Sequence, residues 1–312
     1  MAGDQRSAGR SRTQARSSGC SANHRSMHES DEVIVLRIDS PSHSIEAVVD
    51  VVADPAAARI GSQDVVLLCV KSQDTAAAVA TVAPVMAPGT AVVCLQNGVT
   101  NEEVVLRYVP DVYGAAIVCP SAVGEPGVVR VYCEPTALVD LGRYPAGIDA
   151  TVTKTVTALS GAGVSAIARD DVMAFKWQKL LQNVTNAPEA LCGVRDGELG
   201  IRTRTEAETV LDSLGIAHLA DQSHPVMQRL PVNGEVRKGT STWESIARGG
   251  SIETDWLNGE IVRLARQSGM EAPVNELVQR TMWQLSRSGA PPGSIEEGDL
   301  LAELPPVGST IS

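Results

Sequence analysis

Four groups of residues are of the kinds that handle protons and anions. In Lys176-Trp177-Gln178-Lys179-Leu180-Leu181-Gln182-Asn183 the pattern is helical. Lys179 and Asn183, four apart, then share one helix face, and Lys176 lies close to it. A lysine beside an amide at a domain junction can protonate a developing alkoxide, and burial brings its pKa down toward the working pH. The ordinary alternative is a charged, solvated face. Lys71, in Val70-Lys71-Ser72-Gln73, closes an apolar run and is placed to pair with an anion; its ordinary alternative is a solvated strand-end lysine. Gln96-Asn97-Gly98 closes another run. There Gly98 permits a turn with positive φ and Asn97 offers both a donor and acceptors. Ser241-Thr242-Trp243-Glu244-Ser245 and Ser251-Ile252-Glu253-Thr254-Asp255 supply hydroxyls and a carboxylate. Glu253 reads as a first-turn helix acid, with Ser251 as its cap.

The elements that must hold these residues change character along the chain. Residues 33–39 (VIVLRID) and 45–53 (IEAVVDVVA) are β-branched runs. Residues 64–71 (DVVLLCVK) and 90–95 (TAVVCL) are continuous apolar runs of strand length, suited to parallel strands covered on both faces. Between them residues 74–86 are Ala-rich, with Asp74 placed to cap a helix, and Asn101 is placed to cap the next, followed by Glu102 and Glu103. Further strands are expected at 112–118, 128–133 and 137–141. The alternation implies a parallel α/β sheet with antiparallel additions near its end. Past a boundary near residue 165 the pattern is helical, over 171–187, 203–214, 241–247, 254–267 and 274–286, with Pro188 marking the end of the first. The segment from Ser288 is rich in Pro, Gly and Glu and reads as loose surface.

Composition narrows the class. The chain has 312 residues, 43% of them hydrophobic, enough for two buried cores, and a formal net charge of −11. The first 30 residues hold five Arg and two acids, so the remainder sets 21 basic against 35 acidic residues, a net −14. An acidic body without a basic stripe argues against nucleic acid as a partner. No apolar run reaches the length of a membrane span. Cys20, Cys69, Cys94, Cys119, Cys133 and Cys192 are scattered singly, a usage that fits a reducing cytoplasm. His24 and His28 are spaced i, i+4 but lie in a polar stretch with no apolar face to fold a helix, so no metal site is indicated.

The order and spacing of these pieces resemble the ketopantoate reductase (2-dehydropantoate 2-reductase) family. The matching segments are VKSQDT, LQNGVTNEE, SAVGEPG, KWQKLLQN, DGEL, STWES, SIETDWLNGEIVRLA and GMEAPVN, spanning roughly residues 33–285. Most specific are Glu-x-Asp-x-x-Asn-Gly-Glu from Glu253 and Lys-Leu-Leu-x-Asn from Lys179. The resemblance implies an NADPH-dependent oxidoreductase that reduces a small 2-keto acid to a 2-hydroxy acid on the path to pantothenate, in the cytoplasm, as a homodimer. It implies Lys179 and Glu253 as catalytic residues. Lys179, Asn183, Asn186, Asp196 and Ser241 would bind substrate, and Lys71, Asn97, Ala122 and Glu253 would meet the NADP cofactor. The implied fold class is α/β, a Rossmann-like parallel sheet whose N-terminal strand-loop-helix is missing, followed by an all-α domain. The expected domains are residues 33–165, an incomplete NADP-binding unit; 166–287, a helical substrate and catalytic unit; and 288–312, a loose tail.

The chain departs from the family at two kinds of place. Many members carry a second Asn four residues after the first; here Ala187 holds that place and Asn186 lies three on, while Asp196 stands where some members have Asn. Both bear on which keto acid fits. The larger departure is residues 1–32, where the family has a strand, Gly-x-Gly-x-x-Gly and a helix whose amides hold the pyrophosphate. That stretch contains no Val, Ile, Leu, Phe, Trp or Tyr, and Gly3, Gly9 and Gly19 have the wrong spacing. Its Arg/Ser-rich composition is that of a transit peptide without the apolar face, or of a disordered extension; a segment that is not the natural one is the preferred reading. Two functional alternatives follow: a relic of the family lacking cofactor binding, and a reductase acting on another keto acid or an imine.

Overall fold

The computed structural model describes residues 32–305. The expectations placed on residues 1–31, among them Cys20, His24, His28 and the three early glycines, lie outside the described residues. The main sheet has five strands in the order β10-β9-β5-β4-β3. Here β3 is Val65–Leu68, β4 Ala91–Cys94, β5 Val112–Val118, β9 Leu138–Arg143 and β10 Ser165–Ala168. Strands β3, β4 and β5 run parallel, β9 is antiparallel to β5, and β10 is parallel to β9. This is the expected parallel sheet with an antiparallel addition. Helices α1 (Thr75–Val82) and α2 (Asn101–Leu106) follow β3 and β4, and α3 (Ala150–Gly161) crosses from β9 to β10.

Both faces of the sheet are covered. Val66, Leu68, Val79, Val92, Cys94, Val105 and Val112 pack on one side, and Ala91, Val93, Tyr113, Ala115, Val139, Leu141 and Val152 on the other. That two-sided burial is why β3 and β4 read as unbroken apolar runs rather than alternating ones. Strand β1 (Glu32–Asp39) does not join this sheet. It pairs antiparallel with β2 (Ser44–Val51) and parallel with β7 (Val128–Val131), which carries β6 (Ser121–Val123), making a separate four-stranded sheet, while β8 (Cys133–Glu134) pairs antiparallel with β11 (Gln228–Arg229). Strand β3 is therefore an edge of the main sheet among the described residues.

Beyond β10 the chain is helical: α4 (Val172–Asn183), α5 (Asn186–Cys192), α6 (Glu198–Ser213), α7 (Ser241–Ala247), α8 (Asn258–Gln267) and α9 (Pro273–Ser288). Two cores result. One gathers Leu180, Leu181, Val184, Leu211 and Ile261, the other Leu191, Leu199, Val278, Met282 and Leu285. Among the described residues no helix is long and apolar enough to cross a membrane.

Several local expectations need correction. Helix α3 and strand β10 were not anticipated, because Ala150–Gly161 is Thr-rich and only weakly patterned; Asp149 caps it by accepting from Val152 N–H. The single helix expected over 171–187 is two, and Pro188 lies in the first turn of α5, where its missing N–H costs nothing. Asp74 makes no side-chain cap bond, because a 3-10 turn at Ser72–Asp74 leads directly into α1. Asn101 is the first residue of α2 rather than its cap, and its side chain turns into a buried network. The segment after Ser288 is not loose as far as residue 304. Helix α10 (Glu297–Ala302) buries Leu300 in the second core, and Glu297 accepts from Leu199 N–H at the start of α6.

Candidate active site

In an open parallel sheet, ligands bind beyond the carboxyl ends of the strands. Here that edge opens on a cavity of about 140 Å³ whose wall includes Cys69, Lys71, Gln96, Asn97 and Ile117 from the sheet and Glu253 from the helical part. Three residues singled out from the sequence, Lys71, Asn97 and Glu253, thus meet at one place although they lie far apart in the chain. The turn after β4 makes the approach possible. Gly98 has φ +80°, and a Cβ there would stand 3.3 Å from Ser72 Oγ and 3.4 Å from the Trp256 carbonyl.

The two halves of the molecule touch directly across this edge. Ser72 N–H donates to Glu253 Oε1 (3.0 Å), and the Ser72 hydroxyl lies 3.1 Å from the Asn97 carbonyl and 3.3 Å from the same carboxylate oxygen. Lys71 Nζ donates to Ser245 Oγ (3.0 Å) and to the Ser251 carbonyl, and Gln73 Nε2 donates to Ser251 Oγ (3.0 Å). Burial raises the Glu253 carboxyl above its usual range against the pull of the Ser72 amide and the Lys71 charge. Burial lowers Lys71, with Glu253 opposing and Arg248 assisting. Glu253 is therefore not a first-turn acid capped by Ser251. It precedes a 3-10 turn at Thr254–Trp256, and its side chain reaches across to the sheet.

Helix α4 approaches the same edge. Asp171 caps it by accepting from Ala174 N–H. Asn183 Nδ2 donates to Asn97 Oδ1 at 3.0 Å, so the amide singled out on the helix and the one singled out on the sheet are bonded to each other. Lys179 lies one turn before Asn183 on that face. Its ammonium is pushed down to about 8, first by burial and then by the positive charges of Arg195, Arg229 and Arg237. Lys176 is not a solvated neighbour. Its ammonium pairs with the Glu102 carboxylate, both side chains almost wholly buried. The other substrate-side residues are more dispersed. Asn186 is 4% exposed at the start of α5. Ser241 opens α7, and its carbonyl accepts from Ser245 Oγ, the hydroxyl that meets Lys71.

Of the expected residues only Lys71, Asn97 and Glu253 line the cavity at the sheet edge; Lys179, Asn183, Asn186, Ser241, Asp196 and Ala122 do not. Asp196 is exposed and lines a separate depression of about 340 Å³ with Gln182, Thr185, Arg195, Arg204 and Glu208. Ala122 sits on β6 of the smaller sheet. Conversely, Ser72, Glu102 and the three arginines were missed. Ser72 lay inside the quoted Val-Lys-Ser-Gln motif, and Glu102 stood out only as an acid following Asn101 at a helix start. Nothing local in the sequence marks Arg195, Arg229 or Arg237, which the fold brings near Lys179 from separate segments.

Among the described residues, no glycine-rich loop leads from a strand into a helix at this edge. Gly161-Ala162-Gly163 carries a Gly-x-Gly pair without the third glycine, and it leaves α3 and leads toward β10, the reverse of the order that aims helix amides at a phosphate.

Comparison with known proteins gives a consistent result. Residues 25–145 match the family described as ketopantoate reductase PanE/ApbA, and residues 171–285 match its C-terminal part. A 2-dehydropantoate 2-reductase of Halobacterium salinarum is 30% identical over 239 residues, 72% of this chain and 76% of the relative. Among solved structures, a PanE/ApbA family ketopantoate reductase from Ralstonia eutropha JMP134 superimposes with TM-score 0.67 at 25% identity, covering 81% of this chain and 85% of the other. A ternary structure of D-mandelate dehydrogenase with NADH and anilino(oxo)acetate also reaches TM-score 0.67 over the same shares, at 16% identity, a likeness of fold alone.

Proposed function

This chain belongs to the ketopantoate reductase PanE/ApbA family, and from that premise we propose that it reduces 2-dehydropantoate to (R)-pantoate with NADPH as the hydride source. One observation carries the reading. The Asn183–Asn97 hydrogen bond docks the helix that bears Lys179 onto the carboxyl edge of the sheet.

The described residues fit the reacting end of a nicotinamide dinucleotide. The cavity at the strand ends offers an amide at Asn97, a carboxylate at Glu253 and an ammonium at Lys71. Its volume of about 140 Å³ suits a ring rather than a whole dinucleotide, since complete ligand sites run to about 300–1,000 Å³. A grip for the pyrophosphate is not found among the described residues. When bound, the cofactor supplies the hydride that reduces the keto carbon.

The chain's own residues supply the rest. Lys179 holds a proton at Nζ and gives it to the carbonyl oxygen as that oxygen becomes an alkoxide, leaving the neutral amine and a hydroxyl. A pKa of about 8 keeps the donor charged at neutral pH yet makes it a much better acid than an exposed lysine. Arg195, Arg229 and Arg237, which depress that pKa, also make the surroundings favourable for a substrate carboxylate. Asn183, Asn186 and Ser241 are assigned to the substrate, and Asn97, Lys71 and Glu253 to the cofactor side. Holding Asn97 and Asn183 in one hydrogen bond keeps the two sets in register.

A second reading is favoured by the outer edge of β3, which pairs with no strand among the described residues, and by a sequence over residues 1–32 that holds no Val, Ile, Leu, Phe, Trp or Tyr. It is a chain that keeps the fold and lacks useful cofactor affinity. Titration of the purified protein with NADPH separates the two, followed by steady-state rates on ketopantoate beside pyruvate and α-ketoisovalerate. Micromolar NADPH binding with a preference for ketopantoate supports the enzyme. Binding with preference for another acid rejects the substrate, and no binding rejects the reading.

A further inference from the structure

Lys176 and Glu102 form an ion pair where ion pairs are rarely found. The Lys176 side chain is 2% exposed and that of Glu102 0%. Lysine and glutamate are almost never so deeply buried unless paired, and such a pair seldom adds stability over an apolar pair of similar volume. A stability role therefore does not account for it, and its place in the fold points elsewhere.

The pair joins the two halves of the molecule beside Lys179. Lys176 lies one turn before Lys179 on α4, and Asn183 one turn after. Lys176 Nζ donates to the Gln96 carbonyl (3.4 Å) and to Glu102 Oε1, while Asn183 Nδ2 donates to Asn97 Oδ1 (3.0 Å). Two consecutive residues past the end of β4 thus hold two points on α4 that are about 10 Å apart along its axis, with Lys179 between them. The receiving end is stiff. Gln96 Nε2 donates to Thr75 Oγ1 (2.7 Å), Thr75 Oγ1 to Asn101 Oδ1 (2.8 Å), and Asn101 Nδ2 to the Asn97 carbonyl (2.8 Å). Room for the pair comes from Gly114 on β5. A Cβ there would stand 3.3 Å from Glu102 Oε1 and 3.5 Å from Lys176 Cδ. Among the described residues Glu102 Oε2 meets no hydrogen-bond partner, so the carboxylate is held by Lys176.

We propose that Lys176, clamped by Glu102 and the Gln96 carbonyl, is the positioning residue that sets where Lys179 sits over the sheet edge. This rests on the reading of Lys179 as the proton donor. Lys176 itself touches neither substrate nor cofactor in this scheme; it acts through the helix it anchors. A pair that only filled space could be replaced without consequence for Lys179.

The test uses the full chain in three forms: natural, Lys176→Met, and Lys176→Met with Glu102→Leu. The single variant strands a buried carboxylate and is the one at risk of misfolding, whereas the double variant leaves none. Both are first checked for a cooperative thermal transition. The first readout needs no cofactor. The lysines, five in the unsubstituted chain and four in each variant, are trace-acylated across a pH series, and the modification of Lys179 is followed by mass spectrometry. The natural chain should give a Lys179 midpoint near about 8, held there by burial and by Arg195, Arg229 and Arg237. In the folded double variant the midpoint should rise by about one unit or more toward that of a free lysine. An unchanged midpoint overturns the proposal. The second readout is turnover. The double variant should lose about 10²-fold in kcat, as expected for a displaced catalytic group, with NADPH affinity held within about two-fold. In a Lys179→Ala background the same two changes should alter kcat by less than about two-fold, because their effect passes through Lys179. Equal losses in both backgrounds overturn the proposal. A chain without any turnover defeats the functional reading alone, and the lysine titration still decides the positioning role.

Discussion

Replacing Lys179 with methionine should make the protein more stable and nearly inactive. The folded state holds this lysine at a pKa of about 8 against an ordinary 10.5. Folding therefore favours its neutral form. Below about pH 8 the folded chain carries the full cost of this partly buried charge, which by linkage is at most about 3 kcal/mol at neutral pH. As pH rises the folded lysine loses its proton before the unfolded one does. The cost then shrinks to under about 1 kcal/mol near pH 10 and is absent well above the unfolded pKa. Methionine keeps the length of the side chain and removes the charge, so a gain of roughly 1–3 kcal/mol is expected near neutrality, and little or none near pH 10. The assay is urea unfolding of both proteins side by side at the two pH values, with the difference in midpoint converted through a common slope. Turnover should meanwhile fall by about 10²–10⁴-fold, the usual worth of a positioned proton donor. If the variant is less stable near neutrality, or if its effect on stability is the same at both pH values, the lysine is not held as a desolvated cation and the proton-donor argument loses its basis.

Three further outcomes follow from the same geometry. The rate of reduction should decline as pH rises through about 8, by about ten-fold per unit above it, because only the charged Lys179 donates; a rate flat to about pH 10 contradicts this. Asn97→Ala, Asn183→Ala and the double variant should show a coupling of about 1 kcal/mol in stability, the worth of one inter-domain hydrogen bond, and additivity would mean the bond does not join the halves in solution. Leu300→Ala should cost about 2–4 kcal/mol in thermal or denaturant unfolding, since the side chain is 4% exposed within the second helical core; a neutral effect would show that α10 does not pack there.

The parts of the fold that were legible in the sequence are those where one physical signal dominates. The runs that became β3 and β4 are buried on both faces, so they contain nothing but apolar residues and stand out. Helix α4 shows because apolar residues, Phe175, Leu180 and Leu181 among them, recur at helical spacing. The elements that were missed have mixed signals. Helix α3 is rich in threonine, and β10 is a four-residue edge strand with no fully buried position. The candidate site was legible only in part. Lys71, Asn97 and Asn183 sit at the strand ends and helix face where their motifs put them, whereas Glu253 reaches the cavity from before a 3-10 turn rather than from the first turn of a helix. The burial of Lys176 was not legible, because a lysine on a helix usually faces water and no local feature of the sequence reveals that Glu102, far back in the chain, lies opposite. Asp196 was misplaced for the converse reason. Its motif fits the family, but its side chain faces a different depression.

The proposed reaction is a hydride transfer to the keto carbon of 2-dehydropantoate, with Lys179 supplying the proton. The most direct measurement uses NADPH carrying deuterium at the transferable position, incubated with the full chain and 2-dehydropantoate, with the product acid analysed by mass spectrometry and by chiral separation. The expected product is pantoate of a single hand, heavier by one deuterium on carbon 2 and formed in equal amount to the cofactor oxidised, with Lys179→Ala forming it at least about 10²-fold more slowly. Cofactor oxidation without labelled pantoate, or no pantoate at all from a folded chain that binds NADPH, would contradict the account.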